Sequence, residues 1–390
     1  FLEQSPSVSE AGRTLGLSSR AAFFRLSLPL ARPAIAAGAA LALMETLADF
    51  GTVAYFGVQT FTTGIFRAWL SMGDPVSAAR LSVILLAFIA TIVAAERFAR
   101  GRARYHDAQR KARRKRRPLG RSAAALAFLA CALPLAAGFA VPVALLLHLT
   151  LAGGDAQFGP RFVRLATNSA TLAAITALIA VGIALMLAYG ARISRSPVAQ
   201  GVNRLASLGY AVPGAVIAVG VLIPATRLDN LMADWGIAGG LVLTGSIGAL
   251  VYAYLIRFLG VALQAVDAGL SRVTPHMEDA ARSLGMGTAA TLARVHAPIL
   301  RSSLVTAGLL VFVDVMKELP ATFVMRPFDF DTLAVQAYNL ASDERLAEAS
   351  TASLAIVAVG LLPVIVASRR LVRQESEARL APALAPAVGA

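Results

Sequence analysis

Eight apolar runs, each roughly twenty residues long, set the pattern of the chain: Ala34–Gly57, Ser77–Ala99, Ala123–Leu151, Arg164–Tyr189, Leu205–Pro224, Gly236–Phe258, Ser302–Met325 and Ala349–Ala367. A hydrocarbon core about 30 Å thick takes about 20 helical residues to cross, so each run is predicted to be one transmembrane helix. Pro134 and Pro142 fall inside the third run, and membrane helices tolerate proline better than soluble ones do. Of the polar stretches before and between the runs, three carry the argument. Phe1–Arg32 is amphipathic and broken by Pro6, Pro29 and Pro33; Arg100–Gly120 is a charge run; Leu259–Leu300 is a long loop. The expected fold is all-α and polytopic.

Two of the polar stretches carry the same signature. Residues 9–32 read SEAGRTLGLSSRAAFFRLSLPLAR, and residues 278–301 read EDAARSLGMGTAATLARVHAPILR. Placing Gly16 on Gly285 sets an offset of 269 residues, which also puts Glu10 on Asp279, Ala11 on Ala280, Arg13 on Arg282, Pro29 on Pro298 and Arg32 on Arg301. The register then continues without a gap for about 90 residues, bringing Glu45 onto Asp314, Asp49 onto Glu318, Phe61 onto Phe330, Thr63 onto Thr332, Trp69 onto Tyr338 and Asp74 onto Asp343. This is an internal duplication with both copies in the same orientation, so the axis relating them is expected along the membrane normal. Residues 1–99 read as the end of a first repeat, 100–120 as a basic linker, 121–372 as a second repeat with six spans, and 373–390 as a disordered tail. A first half equal to the second would need about four more helices before Phe1.

Composition agrees with the membrane reading. The chain has 390 residues, 57% hydrophobic and 15% charged, against about 25% charged in ordinary soluble domains. The net charge of +14 is not spread over a surface, because twelve Lys or Arg lie between Arg97 and Arg121. That cluster marks a cytoplasmic flank rather than a nucleic-acid site. Alternating outward from it places 1–32, 97–121 and 259–301 on the cytoplasmic side, so both signature copies face inward. Cys131 is the only cysteine, which excludes an internal disulfide and a Cys-based metal cluster.

The chemistry of the chain lies in its loops and its intramembrane acids. No catalytic constellation is visible. The three lysines, Lys111, Lys115 and Lys317, never follow glycine, so the chain has no P-loop, and energy must arrive through a partner. In the signature copies, the small residues Ala11, Gly12, Ala280 and Ala281 would let a partner backbone approach closely. Gly16 and Gly285 can take positive φ and turn the chain after a helix, and Glu10 and Asp279 suit a helix start. Within the spans, Glu45 lies about 18 Å of helix rise beyond Pro33, and Asp49 follows one turn later. Asp314 and Glu318 repeat the pair, with Lys317 between them. A charge at such depth is expensive, at least about 2.5 kcal/mol. Glu45, Asp49, Asp314 and Glu318 therefore face a cavity or one another. Two readings stand: an acidic lining for a cation pathway, or a structural cluster neutralised by Lys317.

The Glu-Ala-Gly and Asp-Ala-Ala steps, each followed by Gly16 or Gly285 and then Pro29 or Pro298, resemble the EAA loops of type I (MetI-like) ABC-importer permeases. The copies depart from that pattern at Gly12, where alanine is commoner, and at Asp279, which has Glu278 beside it. METLADFGTVAYFGVQTFTTGIFRAWLSMGD (Met44–Asp74) and KELPATFVMRPFDFDTLAVQAYNLASDERLAEAS (Lys317–Ser350) resemble ferric-iron uptake permeases with two fused halves. The resemblance implies a bacterial inner-membrane permease that alternates access and binds no cofactor of its own. It also implies two copies of an ATP-binding subunit carrying ATP and Mg, and a periplasmic substrate-binding protein. Ferric iron is the passenger implied; thiamine and polyamine permeases share the EAA loop. A proton-coupled secondary transporter, with Glu45 and Asp314 as relay, is the alternative from another class.

Overall fold

The computed structural model describes residues 11–12, 14–100, 120–153, 159–194, 196–237, 242–271 and 273–380. Among these residues every regular element is helical. Eight helices are long and apolar enough to cross a membrane, the number the hydropathy pattern predicts. We label the elements in chain order: α1 Arg20–Ala48, α2 Gly51–Tyr55, α3 Phe61–Phe66, α4 Pro75–Arg100, α5 Arg121–Gly153, α6 Pro160–Ser194 and α7 Pro197–Leu208. Then come α8 Gly214–Asp234, α9 Ile247–Leu270, α10 Pro275–Ser283, α11 Thr288–Met316, α12 Pro320–Met325, α13 Leu333–Ser342 and α14 Leu346–Leu380.

Several boundaries differ from the hydropathy runs, each for a local reason. The run Leu205–Pro224 is split. Pro213 forces Val212 into an extended conformation (φ −85°, ψ 126°), so α7 is a separate amphipathic helix and the crossing begins at Gly214. The run Gly236–Phe258 starts crossing only at Ile247, because Gly236 and Gly245 take positive φ and Ser246 caps the helix through the Ala249 N–H. The helix α11 ends at Met316, four residues before Pro320, whose ring would meet the Met316 carbonyl and which has no N–H to offer it. At the other end, α14 runs on to Leu380, past the 372/373 boundary assigned to a disordered tail, because neither Gly nor Pro occurs between Pro363 and Pro382. The linker core 101–119 and residues 381–390 lie outside the described residues.

The duplication reaches down to a backbone defect. A π-helical segment occupies Phe23–Ser27 in α1 and Leu292–His296 in α11, 269 residues apart. In each, the wide turn ends two residues before a proline, Pro29 or Pro298, and a third such segment, Ala136–Ala140, stands in the same relation to Pro142. A proline that cannot donate to the carbonyl four residues back leaves the preceding turn to widen to i→i+5 bonding. Leu28 N–H thus bonds Phe23 O, and Ala297 N–H bonds Leu292 O.

Two apolar cores hold the bundle. The larger joins α6, α9 and α11 across a buried stripe of Ala173, Ala177, Ala180, Ala184 and Ala188 on α6, small residues that let membrane helices pack closely. The second unites the repeats: Phe50, Ile65, Phe66, Leu85 and Ile89 pack on Ala215, Val216 and Val219 of α8 and against Phe323 and Tyr338. If every apolar helix crosses, alternation puts the chain entering α1 and the chain entering α11 on the same side, so both signature loops share one face.

Candidate functional site: paired loops and transmembrane acids

In the second loop, α10 carries the signature and is closed by a Schellman arrangement. Met286 N–H reaches Ala281 O at 3.1 Å and Gly285 N–H reaches Arg282 O at 2.9 Å. Gly285 sits at φ +75°. The first loop repeats the outer bond, with Leu17 N–H to Gly12 O at 3.0 Å, and Gly16 sits at φ +84°. Both glycines therefore take the left-handed turn expected of them. The neighbourhood of each is open, with nothing within 4 Å of an added Cβ, so backbone conformation rather than space selects glycine there.

The structure divides the small residues of the signature into two roles. Ala11 and Ala280 are exposed on the loop surface, as is Asp279, at 65% exposure. Gly12 and Ala281 instead turn inward and are buried. They pack on their own chain and are not open to a partner. An added Cβ on Gly12 would lie 2.4 Å from the Leu26 Cδ1. The residue equivalent to Leu26 in the second copy is the smaller Val295. A larger side chain at one position thus accompanies the smaller one at the other, which accounts for glycine where alanine is commoner. Glu10 lies outside the described residues.

The four acids also divide. Glu318 is 4% exposed and its carboxylate is fully engaged: Arg257 Nη1 stands 3.0 Å from Oε1 and 2.9 Å from Oε2, and the Ala321 N–H donates to Oε1 at 3.0 Å. Arg257 lies across the Phe258 ring at 5.4 Å. The first residue of α8 completes the enclosure, since an added Cβ on Gly214 would lie 2.4 Å from both Arg257 Nη1 and Glu318 Oε1. Asp49, the equivalent acid, likewise caps its own turn by accepting the Thr52 N–H at 3.3 Å. These two acids hold the helix breaks in place, and Glu318 is neutralised by Arg257 rather than by Lys317. Lys317 bonds Asp314 at 3.0 Å and is itself 54% exposed.

Glu45 and Asp314 remain as the acids with carboxylates directed elsewhere than a backbone turn. Glu45 is exposed and accepts the Tyr210 hydroxyl at 2.9 Å. Tyr210 in turn feels the charges of both Asp314 and Glu45, and of Arg257 with opposite sign. That phenol, contributed by the turn between α7 and α8, bonds Glu45 directly and lies within the electrostatic reach of Asp314. Sequence reasoning passed over Tyr210 and Arg257. A lone arginine at the end of an apolar run is a signal in its own right; nothing in the pattern marks Tyr210. Among the described residues no group of three or more His, Cys, Asp or Glu is arranged to hold a metal ion.

Comparison with known proteins defines the class. Residues 2–101 match the family described as "Binding-protein-dependent transport system inner membrane component", and the chain has the fold of ABC-importer membrane subunits. A bacterial alginate ABC transporter, solved in complex with its pentasaccharide-bound periplasmic protein, superposes with a TM-score of 0.52 at 14% identity, over 64% of this chain and 94% of that one. This chain shares that fold, and eight of its helices are long and apolar enough to cross a membrane. Among curated relatives it is similar to the Fe(3+)-transport system permease protein FbpB 2 of Haemophilus influenzae, at 28% identity over 92% of this chain and 70% of that protein. It is 23% identical to a probable ABC transporter permease of Sinorhizobium fredii, over 94% of this chain and 67% of that protein. A putative 2-aminoethylphosphonate transport system permease of Salmonella paratyphi A is 26% identical over 40% of this chain and 54% of that protein.

Proposed function

We propose that the chain is the permease of a ferric-iron importer, and that its two signature loops are the points at which two copies of an ATP-binding subunit act on it. The observation that carries the coupling role is the pair of loops with the same glycine-closed turn, each presenting a small residue, Ala11 or Ala280, outward. Closing of the ATP-binding dimer would draw both loops together and open the bundle toward the periplasm, where a binding protein delivers its load; ATP hydrolysis would return it. The iron assignment is supported by the relative from Haemophilus influenzae and by Glu45 and Asp314, whose carboxylate oxygens suit a hard cation passing along the pseudo-two-fold axis.

The coupling role is tested at Gly285. Valine there would have to adopt φ +75°, which costs a β-branched residue about 1–2 kcal/mol. Gly285→Val is expected to reach the membrane normally and to lose most ATP-driven uptake, while Gly285→Asn, which tolerates the left-handed region, retains it. The matching change at Gly16 is expected to be equal or milder. Normal uptake by Gly285→Val in an assembled complex would remove the docking role. The passenger is tested by asking which loaded binding protein stimulates ATP hydrolysis: one carrying ferric iron supports the assignment, and one carrying thiamine, a polyamine or a phosphonate replaces it.

A further inference from the structure

The second loop is anchored to the helices around it. In the second loop Glu278 faces inward, beside the outward-facing Asp279, and its Oε1 receives the Arg192 Nε at 2.6 Å. The remaining nitrogens of that guanidinium are also used: Nη1 donates to Leu270 O at 2.7 Å and Nη2 to Val273 O at 2.6 Å. Arg192 stands near the end of α6, so one planar group ties α6 to α10, to the last residue of α9 and to the segment between them. One turn earlier on α6, the Tyr189 hydroxyl donates to Thr288 O at 3.0 Å, at the start of α11, and its ring meets the His296 ring at 5.0 Å. The end of α6 therefore grips both ends of the second loop. At the equivalent places in the first copy stand Ser9 for Glu278 and Ser27 for His296. The acid that Arg192 holds has no counterpart at position 9 of the sequence.

We infer that Arg192 is a positioning residue that makes the second loop move as one body with α6 and α9. The inference rests on the coupling role proposed above. Guanidinium geometry matters here, because a fork can serve a carboxylate and two carbonyls at once whereas an ammonium is a point charge. Displacement of α10 then carries the ends of α6 and α9 with it.

The test uses the complete complex, with ATP-binding subunits and loaded binding protein, in proteoliposomes, and reads uptake per ATP hydrolysed. Arg192→Ala is expected to lower that ratio about tenfold, within the range of a single coupling interaction, with the protein still present in the membrane. Arg192→Lys, which returns a charge to Glu278 but not the fork, is expected to fall between. Glu278→Gln reads the same ratio with a smaller disturbance, should the alanine variant not assemble. A ratio equal to wild type in Glu278→Gln and in any assembled Arg192 variant overturns the inference, as does a parallel loss of uptake and hydrolysis that leaves the ratio unchanged. Uptake by the unaltered complex that proceeds without ATP would instead overturn the coupling role itself, so the two failures are distinct.

Discussion

Replacing Glu318 with glutamine is expected to destabilise the protein by about 3–5 kcal/mol, because it leaves the Arg257 guanidinium buried without a counter-charge. Arg257 is 9% exposed and Glu318 4% exposed. Gly214 closes the site from the α8 side at a distance that admits no further atom. The measurement is the amount of folded protein in the membrane and its thermal unfolding in detergent. Replacing both partners together, Arg257→Met with Glu318→Leu, is expected to recover much of the loss, since removing a buried pair outright is often near neutral. That pattern, severe singly and mild jointly, identifies a structural pair. Normal assembly of Glu318→Gln with loss of uptake would instead return Glu318 to the translocation pathway.

The second large effect is expected at the equivalent pair. Glu45→Gln combined with Asp314→Asn is expected to abolish cation uptake while leaving assembly unchanged. The variant removes the charge with which Lys317 pairs. Lys317 is 54% exposed, so its charge stays solvated and the penalty for losing an exposed partner is small, about 0–1 kcal/mol. The Tyr210 hydroxyl, bonded to Glu45, can donate to a glutamine oxygen as well as to a carboxylate. The double variant thus removes both charges with little change in shape. Its uptake and its membrane level are to be measured together. Normal uptake in well-assembled protein would remove the cation pathway and leave the iron assignment resting on similarity alone.

Much of this architecture was legible because it is written in periodic or repeated features. Eight apolar runs match eight helices long and apolar enough to cross a membrane, and the offset of 269 anticipated two glycine-closed turns that the backbone displays at Gly16 and Gly285. Span limits were less legible, because hydropathy averages over turns: nothing apolar distinguishes Val212, held extended by Pro213, from its helical neighbours. Partnership between side chains was least legible. Lys317 sits one residue from Glu318 in the chain, yet the acid is neutralised by Arg257, 61 residues away, because the helix break at Met316 turns the two side chains apart. Gly12 and Ala281 read as docking residues by size alone, and only the burial of their helix face shows that they pack inward. Arg192 looked like one more basic residue at a membrane flank; its three bonds depend on where α9 and α10 happen to end.

The most direct test of the account is ferric-iron uptake into proteoliposomes containing the permease, its ATP-binding subunits and an iron-loaded binding protein. The account predicts uptake that requires all three components and ATP, that is lost in Gly285→Val, and that is indifferent to a proton gradient. Uptake that persists without the ATP-binding subunits, or that follows an imposed proton gradient through Glu45 and Asp314, would contradict it.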